Sequence, residues 1–280
     1  MSVATDCLQQ IARLDARWRL PRVRALHLPP EPAPGEPRGE FCALELDDGS
    51  LGLSYVLLDD TLQRLRQSDP GLGLAGRPAF EVARRLGDPE AARKAIGLAA
   101  VNAISRWFFD RAGWQPDPSI DSIGAMDPRP GDHIGMIGLF TPLIPRVLAR
   151  GARLTVVELK PHLAGDRDGY RVTLDARELG GCDKVLSTGT LLLNDTLDGM
   201  LAMCRGARWI AMVGPSVGCL PDALFARGVT LLGGSWVLDG PRYVDALRAG
   251  ERRQGLARKV ATTREAWPGF ETLLGRLSPG

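Results

Sequence analysis

Small polar residues follow two short apolar runs in the second half of the chain. Residues 185–186 give way to a Ser-Thr-Gly-Thr turn, and residues 210–213 give way to Gly-Pro-Ser. Such turns bind small polar ligands when they lie at the carboxyl ends of neighbouring parallel strands. Either turn alone is equally consistent with ordinary turn chemistry, but their shared design favours a site. The candidate ligand-binding residues here are Thr188, Gly189, Thr190, Gly214, Pro215 and Ser216.

An acidic residue and a histidine are expected at the same edge. Glu158 follows the strand predicted over residues 154–157, and His162 comes shortly after it. A carboxylate in this place can accept hydrogen bonds from sugar hydroxyls or an amino group, or it can ligate a metal ion. An equal alternative is a structural acid bonded to Lys160 or to a backbone amide. Glu158 and His162 are the candidate metal ligands.

Two asparagines are further candidates. Asn194 stands at the start of the helix predicted after the turn at 188–190, whereas Asp195 is interpreted as a cap of that helix. Asn102 lies among small residues in a helix predicted over residues 89–109, with Asp88 as its N-cap. Asn102 either contacts the second domain or bonds a neighbouring backbone group, and the local bond is the default interpretation.

The turn that ends at Gly138 resembles only superficially a dinucleotide fingerprint. A Gly-Met-Ile-Gly sequence precedes Glu158 at the end of the next strand, but Phe140 stands where glycine would leave room for a diphosphate. Thr141 is interpreted as a helix N-cap, with Pro142 at the first helical position. The pattern predicts that nicotinamide and flavin dinucleotides do not bind here. Gly138 and Phe140 remain candidate contacts for another small ligand.

These residues require an α/β architecture. Strand-like runs alternate with helical or turn segments, which is typical of a mostly parallel, doubly wound sheet. Before them, an alternating run at 23–28 and two runs flanking Asp-Asp-Gly-Ser predict a three-stranded antiparallel piece, followed by helices near 78–86 and 89–109. The predicted parallel strands are 134–137, 154–157, 184–186, 210–213 and 229–232.

The composition changes between the two patterns. Residues 115–131 are rich in Pro, Asp, Ser and Gly, which indicates a join between domains. We therefore expect an α+β domain over residues 1–120 and a Rossmann-like domain over residues 121–280. The basic stretch in the tail, from Arg248 to Lys259, is interpreted as a solvated helix face.

The overall composition excludes some classes of partner. The 280 residues carry a net charge of +2, too small to attract nucleic acid or an anionic membrane, and 44% of them are hydrophobic. The five cysteines are scattered, which predicts reduced, buried thiols. The N-terminus lacks the pattern of a signal peptide, and no apolar run could span a bilayer. We expect a cytoplasmic protein without membrane or nucleic-acid partners, and a homo-oligomer is compatible with the sequence.

The chain resembles a known family. Residues 134–239 are similar to a bacterial and archaeal Rossmann-like domain of unknown function named for heavy-metal chelation. The matching stretches are Gly135–Gly138 with Phe140 and Pro142, Val157–Glu158, Ser187–Thr190 with Asn194, Thr196 and Leu197, and Gly214–Ser216. Residues 97–103 resemble the helix of the enolase-N-terminal-like domain that precedes it in that family. The resemblance implies a cleft between the two domains and a link to metals or metal chelates.

Two functions remain open at this point. The first is a cytoplasmic binding protein that holds a small polar ligand, a metal or a metal chelate in the interdomain cleft. The alternative is a small-molecule enzyme of the transferase type, with a nucleotide-like cofactor against Glu158. The only histidines are His27, His133 and His162, and none is part of a recognisable catalytic triad. The weak catalytic constellation favours the binding protein.

Overall fold

A computed structural model describes residues 2–31, 40–67, 73–121 and 125–277. The loop predicted over 29–39 and the glycine-rich turn at 71–76 lie partly outside these ranges. The described residues form a three-stranded antiparallel sheet and an eight-stranded, mostly parallel sheet. The predicted mixed α/β class is therefore confirmed. We refer to residues 2–121 as the N-terminal region and to residues 125–277 as the Rossmann-like region.

The N-terminal region contains the predicted antiparallel sheet. Its strands β1, β2 and β3 pair in sequence order, and the Asp-Gly turn joins the last two. Helix α4 lies across this sheet and is buried on almost every side. Gly52 allows this contact, because a β-carbon there would lie 2.0 Å from the carbonyl oxygen of Ala99. The elements are α1 (Val3–Asp15), β1 (Val23–His27), β2 (Phe41–Leu46), β3 (Leu51–Tyr55), α2 (Thr61–Gln67), α3 (Ala79–Ala83) and α4 (Ala91–Arg111).

Helix α4 begins later than the sequence predicted. Asp88 is not its N-cap, because the extended residue before the helix is Glu90, whose side chain makes no capping bond. The Asp88 carboxylate instead accepts a hydrogen bond from the Glu90 backbone N–H at 3.0 Å. Asp88 therefore closes the turn that leads into α4.

The large sheet has the topology of a doubly wound fold. Its strand order is β11-β10-β9-β8-β4-β5-β7-β6, and the strands from β10 to β7 run parallel. The chain turns from one half of the sheet to the other between β4 and β8, which is where such folds bind ligands. The strands are β4 (His133–Ile137), β5 (Arg153–Val157), β6 (Gly165–Arg167), β7 (Tyr170–Thr173), β8 (Lys184–Thr188), β9 (Trp209–Val213), β10 (Leu231–Val237) and β11 (Ala257–Thr263).

Short helices connect several of these strands, and three strands were not predicted, namely β7 and the two edge strands β6 and β11. Strand β6 pairs antiparallel with β7, and β11 pairs antiparallel with β10. Arg258 and Lys259 therefore lie on β11, so the prediction of a helix face there was wrong. The helices are α5 (Ile144–Leu148), α6 (Leu197–Met203), α7 (Asp222–Phe225), α8 (Gly240–Ala249) and α9 (Phe270–Leu274).

The two regions share a hydrophobic core. A single cluster of buried side chains includes α4 and continues into the helices that cover one face of the large sheet. The rings of Phe108 and Phe270, one from each region, lie 5.4 Å apart. Asp117, in the connecting segment, pairs with Ala261 on β11. Among the described residues, no helix combines the length and apolarity that crossing a bilayer requires.

Candidate functional site

The turns that end β4 and β8 meet at the switch point of the large sheet. Gly138 has a φ of +86°, and a β-carbon on it would lie 3.1 Å from the methyl group of Thr188. Gly189 packs against the next turn in the same way, because its β-carbon would lie 2.4 Å from Val217. Glycine is needed at both positions for this close approach. The predicted turns are thus adjacent, and their backbones fill the space between them.

The Glu158 carboxylate is already bonded to the protein. Its two oxygens accept hydrogen bonds from the backbone N–H groups of Leu139 at 2.8 Å and Leu159 at 3.1 Å. The turn after β4 therefore uses its N–H donor on an internal carboxylate. This geometry matches the structural alternative, a strand-end acid bonded to backbone amides.

The helix after β4 offers little to an anion. Thr141 is not an N-cap, because Phe140 precedes a short 3-10 turn without a side-chain capping bond. Helix α5 spans only five residues and carries Pro145 in its first turn. Proline has no N–H, so the donors that bind phosphate at a helix N-terminus are reduced here.

The other polar residues of this edge are bonded locally or exposed. The Thr188 and Thr190 hydroxyls lie 3.1 Å apart, and Thr188 Oγ1 also accepts from the Thr190 backbone N–H. His162 is exposed on a 3-10 turn, Pro161–Leu163. These contacts leave the carboxyl edge near β4 and β5 without a cavity formed by Glu158 and His162 together.

Asn102 joins the two regions. Its amide nitrogen donates to the backbone oxygens of Leu53 on β3 and Ser216 after β9, both at 2.8 Å. The Ser216 hydroxyl in turn accepts from the Tyr55 backbone N–H at 2.9 Å. The contact with the second region, and not the default local bond, is therefore what the structure shows. Asn102 is 4% exposed, and its Oδ1 atom has no hydrogen-bond partner.

A cavity lies beside this contact. It has a volume of about 60 Å³, room for on the order of four water molecules, and we call it the interface cavity. Its polar wall includes Asn102 and Arg106, and its apolar wall includes Phe109 and Trp236. The Arg106 guanidinium lies 3.9 Å above the Trp236 ring, pairs through Nε with Asp110 at 2.7 Å, and donates through Nη1 to the backbone oxygen of Val237. Pro215, Ser235 and Thr262 also line the cavity.

Asn194 lies elsewhere. Its Oδ1 accepts from the backbone and hydroxyl of Thr196, and the residue lines a separate cavity next to α1. Asp195 is not a helix cap, because it pairs at 2.6 Å with Lys94, whose side chain is almost fully buried. The predicted site residues are therefore divided among the switch point, the interface cavity and this second cavity.

A strong charge network occupies the opposite edge of the sheet. The Asp132 carboxylate lies 2.8 Å from Lys184 Nζ and 2.6 Å from Arg208 Nη2. Lys184 also donates to the backbone oxygen of Asp127 at 2.6 Å. Hydrogen bonding to Lys184 is the main reason why the pKa of Asp132 is held well below its usual range.

Ligands for a metal ion are sparse. The described residues contain no group of three or more His, Cys, Asp or Glu side chains that could hold one. His133 bonds Gly181 O and Thr155 Oγ1, and His27 bonds Glu45. All five cysteines are free and buried, and burial raises the pKa of Cys204 to about 12. Glu158 and His162 are not part of such a group, and their role as metal ligands stays a prediction.

Sequence reasoning missed Arg106, Trp236 and Lys94. Arg106 and Trp236 lie far apart in the sequence, and neither belongs to a motif, so no local signal marked them. Lys94 had one usable signal, since it is a charged residue inside a helical stretch that is otherwise rich in Ala, Ile, Gly and Leu. A lysine in such a stretch requires a partner.

A profile of the family described as "Putative heavy-metal chelation" (DUF364) matches residues 121–265, just over half of the chain. The chain belongs to this family. A second profile with the same description, DUF4213, matches residues 39–105. The resemblance derived from the Thr-Gly-Thr and Gly-Pro-Ser turns is thereby confirmed.

Individual relatives agree with this assignment. An uncharacterized protein of Methanocaldococcus jannaschii is 28% identical over 151 residues, which are 52% of this chain and 55% of that protein. The chain thus spans about half the length of this curated relative.

Two solved structures of DUF364 proteins with unknown function have the same fold. The one from Desulfitobacterium hafniense has a TM-score of 0.68 at 21% identity and covers 91% of this chain and 97% of its own. The one from Pyrococcus horikoshii has a TM-score of 0.64 at 21% identity, and the match covers 93% of this chain and 98% of that protein. At this level of identity the likeness establishes the fold alone.

Proposed function

We propose that this protein binds a small organic ligand with hydrogen-bond donors in the interface cavity. The observation that supports this most directly is Asn102, a residue of the cavity wall whose buried Oδ1 atom has no hydrogen-bond partner among the described residues of the protein. An unpaired buried carbonyl costs about 1–3 kcal/mol, so a donor on the ligand is the natural compensation. The family description favours a role in which such a ligand carries a metal.

The cavity wall suggests the chemistry of that ligand. Asn102 Oδ1 can accept a hydrogen bond from a ligand, and the Arg106 guanidinium favours a carboxylate or another anionic oxygen on it. The rings of Phe109 and Trp236 suit a flat or apolar portion. An amino-acid-like or hydroxycarboxylate group combines these properties, and such groups also chelate metals.

The metal itself finds no ligand set in this cavity. Its described lining has no His, Asp or Glu side chain and only a single thiol, Cys219. A metal would therefore reach the cavity inside a chelate formed by the organic ligand. Cytoplasmic location and binding in a cleft between an N-terminal domain and a Rossmann-like domain are parts of the same proposal.

An enzyme that uses a nucleotide has less support. Its cofactor was expected against Glu158, whose oxygens are bonded to backbone N–H groups. Each oxygen keeps a second lone pair for a ribose hydroxyl, but the backbone bonds already stabilise the carboxylate without a cofactor.

The test is mass spectrometry of the protein as purified. The mass in native spectra should exceed that of the chain, and the excess should disappear in denaturing spectra. Elemental analysis should show whether the released ligand contains a metal. Asn102→Leu, which removes Oδ1, should abolish the retained mass, whereas Asn194→Ala should keep it because Asn194 lies outside the cavity.

A second variant guards against misfolding. Thr262→Val removes a hydroxyl from the cavity wall at nearly constant volume and should reduce the retained mass while the fold persists. The proposal is wrong if folded Asn102→Leu and Thr262→Val proteins retain the same mass as the wild type.

A further inference from the structure

Two cysteines from opposite ends of the chain meet in the second cavity. Cys7 on α1 and Cys219 after β9 both line it, and its volume is about 230 Å³. Both residues are buried, at 2% and 4% exposure, and the neighbouring Cys219 thiol together with burial raises the pKa of the Cys7 thiol well above its usual range. We call this cavity the thiol pocket. Its polar lining includes Lys94, Asn194 and Asp195.

Charged groups fix the two sides of the thiol pocket. Arg227 bridges Asp6 on α1 and Asp198 on α6, both at 2.8 Å. The Asp198 carboxylate also accepts from the Val3 backbone N–H at 3.3 Å. Helix α1 is thus attached to the Rossmann-like region next to Cys7, and the folded chain holds the two thiols together before any ligand arrives.

We propose that Cys7 and Cys219 form a two-thiolate site for a soft, two-coordinate metal cation such as Cu⁺ or Hg²⁺. Thiolate sulfur is the soft ligand that such ions prefer. A linear two-coordinate ion needs only two ligands. Zn²⁺ takes four and Ca²⁺ six to eight, and the described residues offer no group of even three.

The reaction is an exchange of protons for metal. The two S–H bonds release their protons to water, two S–metal bonds form, and nothing is oxidised or reduced. Two thiolates neutralise Hg²⁺, so the buried complex carries no net charge, and this limits the desolvation cost. With Cu⁺ the complex would carry one negative charge, and the Lys94 ammonium in the wall is already paired with Asp195, so Hg²⁺ fits this pocket better than Cu⁺.

The experiment is a titration of the reduced full chain with HgCl₂ in a large excess of glutathione. A monothiol in excess removes Hg²⁺ from isolated cysteines, whereas two preorganised thiolates retain it. We expect one Hg²⁺ per chain by native mass spectrometry, with an ultraviolet sulfur-to-metal band that saturates at one equivalent. Cys7→Ser and Cys219→Ser should each weaken Hg²⁺ binding at least about a hundredfold. Loss of a group that only supports a metal ligand costs up to about that much, and these residues would bind the metal directly.

Matched controls come from the chain itself. Cys182 and Cys204 are also buried near each other, but neither lines the thiol pocket. Cys182→Ser and Cys204→Ser should therefore bind Hg²⁺ like the wild type. Metal retained by Cys7→Ser, or lost in Cys182→Ser, would place the site elsewhere and refute the proposal.

A measurement on the wild type covers the case in which a variant does not fold. Crystals soaked in HgCl₂ should show an anomalous peak between the two sulfur atoms of Cys7 and Cys219. A peak at any other cysteine, with none here, refutes the assignment. The two proposals fail separately, because Asn102→Leu should lose the retained mass and keep the mercury.

Discussion

At the amino edge of the large sheet, the Asp132 carboxylate is bonded to both Lys184 and Arg208, whereas beside the carboxyl edge the Oδ1 atom of Asn102 has no partner. Both groups are buried and polar, yet only the first is satisfied by the protein. A fully bonded network stabilises the fold, and a buried polar atom without a partner indicates a place for a ligand. A ligand is therefore expected beside Asn102 and not at the Asp132 network. The same contrast separates Glu158, each of whose carboxylate oxygens accepts a backbone N–H, from Asn102.

The largest effect is expected at the amino edge. Asp132→Asn removes the charge that Lys184 and Arg208 face and leaves a buried ammonium unpaired. The free energy of unfolding should fall by about 3 kcal/mol, as for other buried ion pairs that lose one partner. Urea denaturation measures this. Asp132→Asn combined with Lys184→Met should recover part of the loss, and equal stability of the single variant and the wild type would contradict the comparison.

The same carboxylate should make the protein sensitive to acid. The folded-state pKa of Asp132 lies below that of an unfolded aspartate, so its contribution is fully present above about pH 4 and is lost as the pH falls further. Stability measured from pH 6 to pH 2 should therefore fall less steeply in Asp132→Asn than in the wild type. Parallel curves for the two proteins would show that another group controls the acid transition.

At the interface cavity the expected loss is smaller. Asn102→Ala leaves the backbone oxygens of Leu53 and Ser216 without their donor, which should cost about 2 kcal/mol of unfolding free energy. Asn194→Ala, the matched control, loses only bonds to Thr196 and should cost less than about 1 kcal/mol. Similar losses in thermal or urea unfolding would mean that Asn102 does not hold the two regions together.

Glu158→Gln tests the satisfied part of the carboxyl edge. The amide can accept from only one of the Leu139 and Leu159 N–H groups as well as the carboxylate does, so stability should fall by about 1 kcal/mol. Because Glu158 does not line the interface cavity, any mass that co-purifies with the protein should be unchanged in native spectra. Loss of that mass in a folded Glu158→Gln variant would restore Glu158 as a ligand-binding residue.

No binding is expected for dinucleotides, which is the smallest of the predicted effects. Nicotinamide and flavin dinucleotides should not bind at the turn after β4, where Phe140 stands and the Leu139 N–H is already used. Calorimetric titration should give no dissociation constant below roughly 10 μM, an affinity worth about 7 kcal/mol. Tighter binding would show that the turn can rearrange to receive a diphosphate.

Regular patterns made much of the fold predictable from the sequence. Apolar runs predicted the parallel strands β4, β5, β8, β9 and β10 but missed the parallel strand β7, and the Asp-Gly turn predicted the hairpin of β2 and β3. Strand β6 was missed because its three residues are exposed and carry no apolar signal. Strand β11 was missed because its basic residues resemble a solvated helix face.

The site was less predictable, for a physical reason. Topology indicated which turns meet, and Gly138 and Thr188 do meet. Whether a polar group is free for a ligand depends on bonds to distant backbone atoms, such as Leu139 N with Glu158. The sequence pattern does not encode those bonds, and so it could not separate Glu158 from Asn102.

Cys219 lines both the interface cavity and the thiol pocket. An occupant that displaces this residue on one side changes the wall that the other occupant contacts. Thermodynamic linkage then requires reciprocity: the factor by which a metal at Cys219 alters affinity for the organic ligand equals the factor by which that ligand alters affinity for the metal. A coupling free energy measured in one direction therefore fixes the other.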